Sequence, residues 1–115
     1  MFRVGNIVQI PSNSLYGKYA LISKVTPRII TVHTSKFELT YEPNDLVFFA
    51  SLRLEKRTYT TMIGLRFRVC TFLFPDESTK EAHVCVRDVI DIGSETRAWF
   101  IRLRAVAKLN EAYSC

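Results

Sequence analysis

Between residues 4 and 50 apolar and polar side chains alternate in short runs, and each run stops at a cluster of Pro, Gly, Asn or Ser. A period of two is that of a pleated strand whose faces meet different surroundings, and the close spacing of the breaks leaves no room for helical crossovers. Residues 4–10 (VGNIVQI) alternate after Gly5, and residues 11–14 (PSNS) close the run with turn chemistry. Residues 19–25 (YALISKV) place Tyr19, Leu21, Ser23 and Val25 on one face and Ala20, Ile22 and Lys24 on the other. Thr26-Pro27-Arg28 is a connection, since proline pre-sets one turn angle and lacks the amide that a central strand needs. Residues 29–34 (IITVHT) are rich in β-branched side chains, which suit a half-buried pleated surface. Ser35-Lys36 turns into residues 37–41 (FELTY), and residues 42–45 (EPND) turn into 46–49 (LVFF), read as a final buried strand. Five short strands joined by short turns predict a small five-stranded antiparallel barrel.

The order Gly5-Asn6, Gly17-Lys18 and Pro43-Asn44-Asp45-Leu46 resembles the small Src-homology-type barrels of the KOW kind. Such domains open on a Val-Gly-Asp-like strand start, carry a Gly-Lys before the second strand and finish with a Pro-x-Asp-Leu turn. Asn6 stands where an acid is usual, and Tyr19-Ala20 where a second glycine often follows. The likeness covers residues 1–50 and implies the barrel. For function it implies only a binding role, because these barrels include ribosomal, transcription-factor and protein-binding members.

In residues 51–115, residues 65–74 (LRFRVCTFLF) read as a strand, 75–81 (PDESTKE) as a polar loop and 82–87 (AHVCVR) as a second strand that could run on to Ile92. Ser94 follows Gly93 as a candidate helix cap. Residues 96–113 fit two patterns. As a helix, Trp99, Leu103, Val106 and Tyr113 share one face, and Arg97, Arg104 and Lys108 another. As a strand, Trp99, Ile101, Leu103 and Ala105 alternate with Phe100, Arg102 and Arg104. Ile101 falls on the basic side of the helix, yet length and alanine content favour that reading. The expected fold is mainly β (α+β): the barrel over residues 1–50, then a β-hairpin and a C-terminal helix over 51–115, packed as one unit. Residues 51–61 are the seam, or an edge strand.

No run approaches the roughly 20 apolar residues of a membrane-spanning helix, and the first residues lack the apolar core of an export signal. The expected setting is cytoplasmic, with no membrane partner. Three cysteines, Cys70, Cys85 and Cys115, make a poor disulfide framework and fit reduced thiols. The net charge of +5 attracts phosphates, acidic proteins or anionic surfaces. It is spread along the chain, with five basic against three acidic residues in 1–50 and eleven against eight in 51–115.

Chemistry has few places to reside. Of the two histidines, His83 lies two residues from Cys85 and so on the same face of a strand, with Cys70 a possible neighbour across the hairpin. A zinc site needs a fourth ligand, and no CxxC pair is present, so neither metal nor cofactor is expected. Asp88 and Asp91 flank apolar residues, Asp76 and Glu77 sit in a polar loop, and the four glycines are scattered, which disfavours paired-carboxylate and phosphate-loop enzymes. The expectation is a non-enzymatic binding module. Tyr16, Lys18, Lys24 and Arg28 at barrel loops would meet nucleic acid or a ribonucleoprotein, by phosphate neutralisation and stacking. The alternative is a protein-interaction module, such as an assembly factor, a virion component or a phage-type inhibitor of a host enzyme. Arg66, Arg68, Trp99, Phe100, Arg102 and Arg104 would supply its interface, these being residue types favoured at interfaces.

Overall fold

A computed structural model describes residues 2–11, 18–34, 36–86 and 94–113. Seven strands, β1 (Asn6–Gln9), β2 (Tyr19–Val25), β3 (Ile30–His33), β4 (Glu38–Tyr41), β5 (Val47–Thr60), β6 (Arg66–Leu73) and β7 (Thr79–Cys85), precede one helix, α1 (Ser94–Tyr113). The strands form a single antiparallel sheet in the order β4-β3-β2-β1-β5-β6-β7.

The expected strands near residues 4–10, 19–25, 29–34 and 37–41 are present, but they do not close into a five-stranded barrel. β4 is an edge of an open sheet. The cause is the length of β5. Its first residues pair with β1, in the register Ile7↔Ala50 and Val8↔Phe48. Its remainder, from Ser51↔Leu73 to Thr60↔Arg66, pairs with β6. One strand thus serves both halves of the chain and runs unbroken through the junction at residues 50 and 51. The expected buried strand at 46–49 is also corrected. Leu46 is buried, but Val47 and Phe48 are exposed.

Two apolar clusters lie on opposite faces of the sheet. Ile7, Tyr19, Leu21, Ala50, Leu52, Cys70, Phe72 and Val84 meet Ile101, Ala105, Val106 and Leu109 of α1. Val8, Ala20, Ile22, Ile30, Val32 and Leu46 form the other cluster, with Phe2, Leu39 and Tyr41 at its margin. β2 therefore buries four residues in succession, Tyr19 to Ile22, as a strand covered on both faces must. Register shifts between Ile7 and Val8 and between Ile22 and Lys24 let these strands bend around the second cluster.

The helical reading of residues 96–113 holds, and the buried stripe differs from the expected one. Ile101, Ala105 and Leu109, at i, i+4 and i+8, are buried, while Trp99 and Leu103 pack only at its flank. The fourfold spacing puts Ile101 over the sheet, and Arg97, Arg102 and Arg104 beside it on the helix are themselves half-buried. Ser94 as a cap and Tyr113 on the apolar face lie outside the described side chains. Near the C-terminal end of α1, Asn110 is bound into the sheet. Its Oδ1 accepts from the amides of Lys18 and Tyr19 at 3.0 and 2.9 Å, and its Nδ2 donates to the Tyr19 carbonyl at 3.0 Å. The β2–β3 ladder begins only at Leu21↔His33, so this side chain takes the place of a strand neighbour for Tyr19.

Candidate functional site

The cations expected at barrel loops fall into two places. Lys18 opens β2 and Lys24 stands near its other end, about 20 Å away at strand rise. The Lys18 ammonium lies 5.6 Å from the centre of the Tyr19 ring. Lys24 and Arg28 are exposed around the β2–β3 turn, which Thr26 stabilises by exchanging hydrogen bonds with Ile29 through its hydroxyl at 2.8 and 3.0 Å. Beside this turn is an apolar pocket of about 450 Å³, lined by Phe2, Val25, Thr26, Pro27, Ile30 and Pro43. Tyr16 lies outside the described residues.

The expected protein-interface residues are likewise dispersed by role. Trp99 is half-buried against the core and meets His33 edge-on, with ring centres 5.7 Å apart. Arg104 donates to the Cys85 carbonyl at 3.0 Å and so fastens α1 to β7. Arg102 is partly buried and its Nε has no hydrogen-bond partner among the described residues. Phe100 faces outward, 44% exposed. Arg66 and Arg68 alternate with Phe67 on β6, and the Arg68 Nε donates to the Glu55 carbonyl.

The thiols and His83 are divided by the sheet. Cys70 pairs with Ala82 and is buried under α1, whereas His83 and Cys85 take the opposite parity on β7. Burial pushes the Cys70 thiol up to about 11, against the pull of Arg68 and Arg102. A thiol so placed neither ionises at neutral pH nor reaches the His83 face.

Sequence reasoning read β6 as a strand and offered residues 51–61 as a seam or edge strand, but did not single out the outer half of β5 and its turn into β6 as a site. Past Leu54 the ladder carries a bulge, three residues of β5 facing one of β6, and resumes at Thr58↔Arg68. Tyr59 and Phe67 sit directly opposite and stack, with ring centres 5.3 Å apart and planes 14° from parallel. The Tyr59 hydroxyl is 2.7 Å from His83 Nδ1, and His83 Nε2 is 3.3 Å from Glu81 Oε1. A carboxylate only accepts, so Nε2 carries a proton toward Glu81. The other Glu81 oxygen pairs with Arg57. The hydrogen bond from His83, then that from Arg57, holds the Glu81 carboxyl below its ordinary range. Glu55 is held down in the same sense by Thr71 and then Arg53.

At the end of this ribbon Thr61 closes a tight turn. Its amide donates to the Leu65 carbonyl at 2.8 Å, its hydroxyl accepts from the Leu65 amide at 3.1 Å, and its carbonyl accepts from Gly64 at 3.0 Å. Gly64 supplies the positive φ of 85° that the turn requires. The residues left at the tip are Met62, at 106% exposure, and Ile63, at 82%. Residues 56–68 hold four cations, Lys56, Arg57, Arg66 and Arg68, and no carboxylate. Among the described residues neither Lys56 nor Arg66 has an acidic partner within ion-pair distance. The signal available in the sequence was the gap of twenty residues, 56–75, without an acidic side chain. Alternation alone does not single it out.

No protein-family model, curated protein or solved structure matches the chain.

Proposed function

We propose that the protein is a non-enzymatic, cytoplasmic binding module for nucleic acid, engaged through the outer half of the β5–β6 ribbon. The observation that carries this reading is a stretch of four cations uninterrupted by acid in sequence, of which Lys56 and Arg66 have no acidic partner among the described residues, beside the stacked Tyr59 and Phe67. Cations neutralise phosphates wherever they are exposed, and aromatic faces tolerate any base. The separation of Cys70 from His83 and Cys85 supports a role without metal or thiol chemistry. Lys24 and Arg28 form a lesser basic site at the β2–β3 turn. The order β4-β3-β2-β1-β5, with Pro43–Asp45 as a 3-10 turn ahead of β5, supports kinship with KOW-type barrels in an opened form.

Fluorescence titration of labelled single- and double-stranded DNA and RNA at several salt concentrations tests the reading. The expected result is binding whose salt slope falls by about 0.9 for each phosphate contact removed from duplex DNA, thus by close to two in Lys56→Ala/Arg66→Ala. The pair Lys24→Ala/Arg28→Ala is expected to have the smaller effect. Equal losses from both pairs would leave only diffuse charge and refute the assigned surface. One observation favours a protein partner instead: Phe100 is exposed on α1 beside the packed Trp99. In that case Phe100→Ser abolishes capture of the partner and the cation variants do not.

A further inference from the structure

Two large apolar side chains stand almost fully in water at the Met62–Ile63 tip, although the turn that presents them is closed by backbone and threonine hydrogen bonds that need neither. Their surroundings identify what would cover them. By strand alternation Arg57, ion-paired with Glu81, projects on the Tyr59 face of the ribbon, and Arg66, with no acidic partner among the described residues, on the other, so cationic side chains stand on both sides behind the tip. Thr58 and Thr60 add exposed hydroxyls on the Arg66 side. A second copy of the chain is a poor occupant. Its apolar pocket at the β2–β3 turn lies beside Lys24 and Arg28, which repel the tip's own cations. A lipid surface asks for cations at one depth, whereas these are staggered along both strands over several register pairs. Two rows of phosphates with an apolar stack between them match the arrangement.

We propose that Met62 and Ile63 are a wedge that enters between base pairs of duplex nucleic acid, while Lys56 and Arg66 hold the flanking phosphates. Unbranched and β-branched apolar side chains of this size separate adjacent base steps and kink the helix, at a cost in stacking that the phosphate contacts offset. This proposal rests on the nucleic-acid reading above and adds to it the duplex form and its distortion.

The test uses the whole protein and a short DNA duplex carrying 2-aminopurine at one step and a donor–acceptor dye pair at its ends. Wild type is expected to raise the 2-aminopurine emission and shorten the end-to-end distance. Met62→Ser/Ile63→Ser is expected to lose both signals and to weaken binding roughly tenfold or more, while keeping the salt slope. Its thermal midpoint should equal that of wild type, because the replaced side chains touch no core. Lys56→Ala/Arg66→Ala should reduce the slope instead. If wild type binds no duplex, the nucleic-acid reading itself fails. If it binds and the bases stay stacked, or the tip variant binds as well as wild type, the wedge alone fails. Tip-dependent binding to vesicles containing phosphatidylserine, with no tip dependence on DNA, would also overturn it in favour of a membrane.

Discussion

The Asn110 amide satisfies three backbone groups of Lys18 and Tyr19, at a position where β3 has not yet begun. Aspartate keeps the acceptor and loses the donor, and alanine loses both. Unmet, partly buried backbone groups cost about 1–3 kcal/mol, so Asn110→Ala should lower the unfolding free energy measured in urea by that amount and Asn110→Asp by less. Cys70 gives a second expectation. Buried, with its thiol near 11, it should resist thiol reagents in the native state at pH 8, while half-buried Cys85 labels first. Peptide mapping after brief alkylation distinguishes them, and early labelling of Cys70 would contradict the packing under α1. The carboxyls give the pH dependence. Glu55, Asp76 and Glu81 all lie below their ordinary values, through hydrogen bonds from Thr71, Ser78 and His83 first. The folded state then binds fewer protons than the unfolded one in acid. Their contribution is complete above the unfolded carboxyl range and declines as pH falls through the folded values. The thermal midpoint of wild type should therefore drop on going from about pH 5 to pH 3, and Glu55→Gln/Glu81→Gln should drop less.

Elements differ in how plainly the chain announces them. Alternation located β1 to β4, β6 and β7 to within a few residues, because a strand between unlike faces has no other period. In β2 the same rule assigned Tyr19 and Leu21 to one face and Ala20 and Ile22 to the other, and the two clusters are divided along that line. β5 was legible only in part. Its outer residues alternate polar with polar, so neither face stands out by hydropathy, and the bulge after Leu54 disturbs the period further. α1 was recognisable by length and alanine content, and Val106 is buried as expected, but Ile101, Ala105 and Leu109 complete the buried stripe while Trp99 and Leu103 lie at its flank. Ile101 follows Trp99 and Phe100 in sequence, but at helical spacing it falls beside Arg97, Arg104 and Lys108, so periodicity assigned it to the basic side. Ile101→Ala should cost about 2–5 kcal/mol by chemical denaturation, a cost that a solvent-facing Ile101 would not show. At the β5–β6 turn Gly64→Ala meets no neighbouring atom, so its loss of about 1 kcal/mol would report the positive φ alone.

At the level of the whole molecule, the sequence pattern conveyed the α+β class and the hairpin-plus-helix extension. It did not convey closure. Whether five strands form a barrel or an open sheet depends on what the fifth strand pairs with, and that partner lies beyond the turn at residues 61–65. The candidate surface was hidden for a related reason. Lys56 and Arg66 are ten positions apart and come onto one ribbon only when β5 and β6 pair. Lys18 and Lys24, close in sequence, are held apart by the straight run of β2.

The cover that α1 provides has a consequence for the order in which the chain is made. Ile7, Tyr19 and Leu21 emerge from the ribosome early, yet the helix residues that shield them, Ile101 to Leu109, come last. The 88 positions from Leu21 to Leu109 take about 4–18 s to translate at ordinary elongation rates. Throughout that interval one side of the nascent sheet is bare hydrocarbon with no intramolecular cover. Slower decoding of residues 60–93 should therefore lower the soluble yield while leaving the finished protein's stability unchanged.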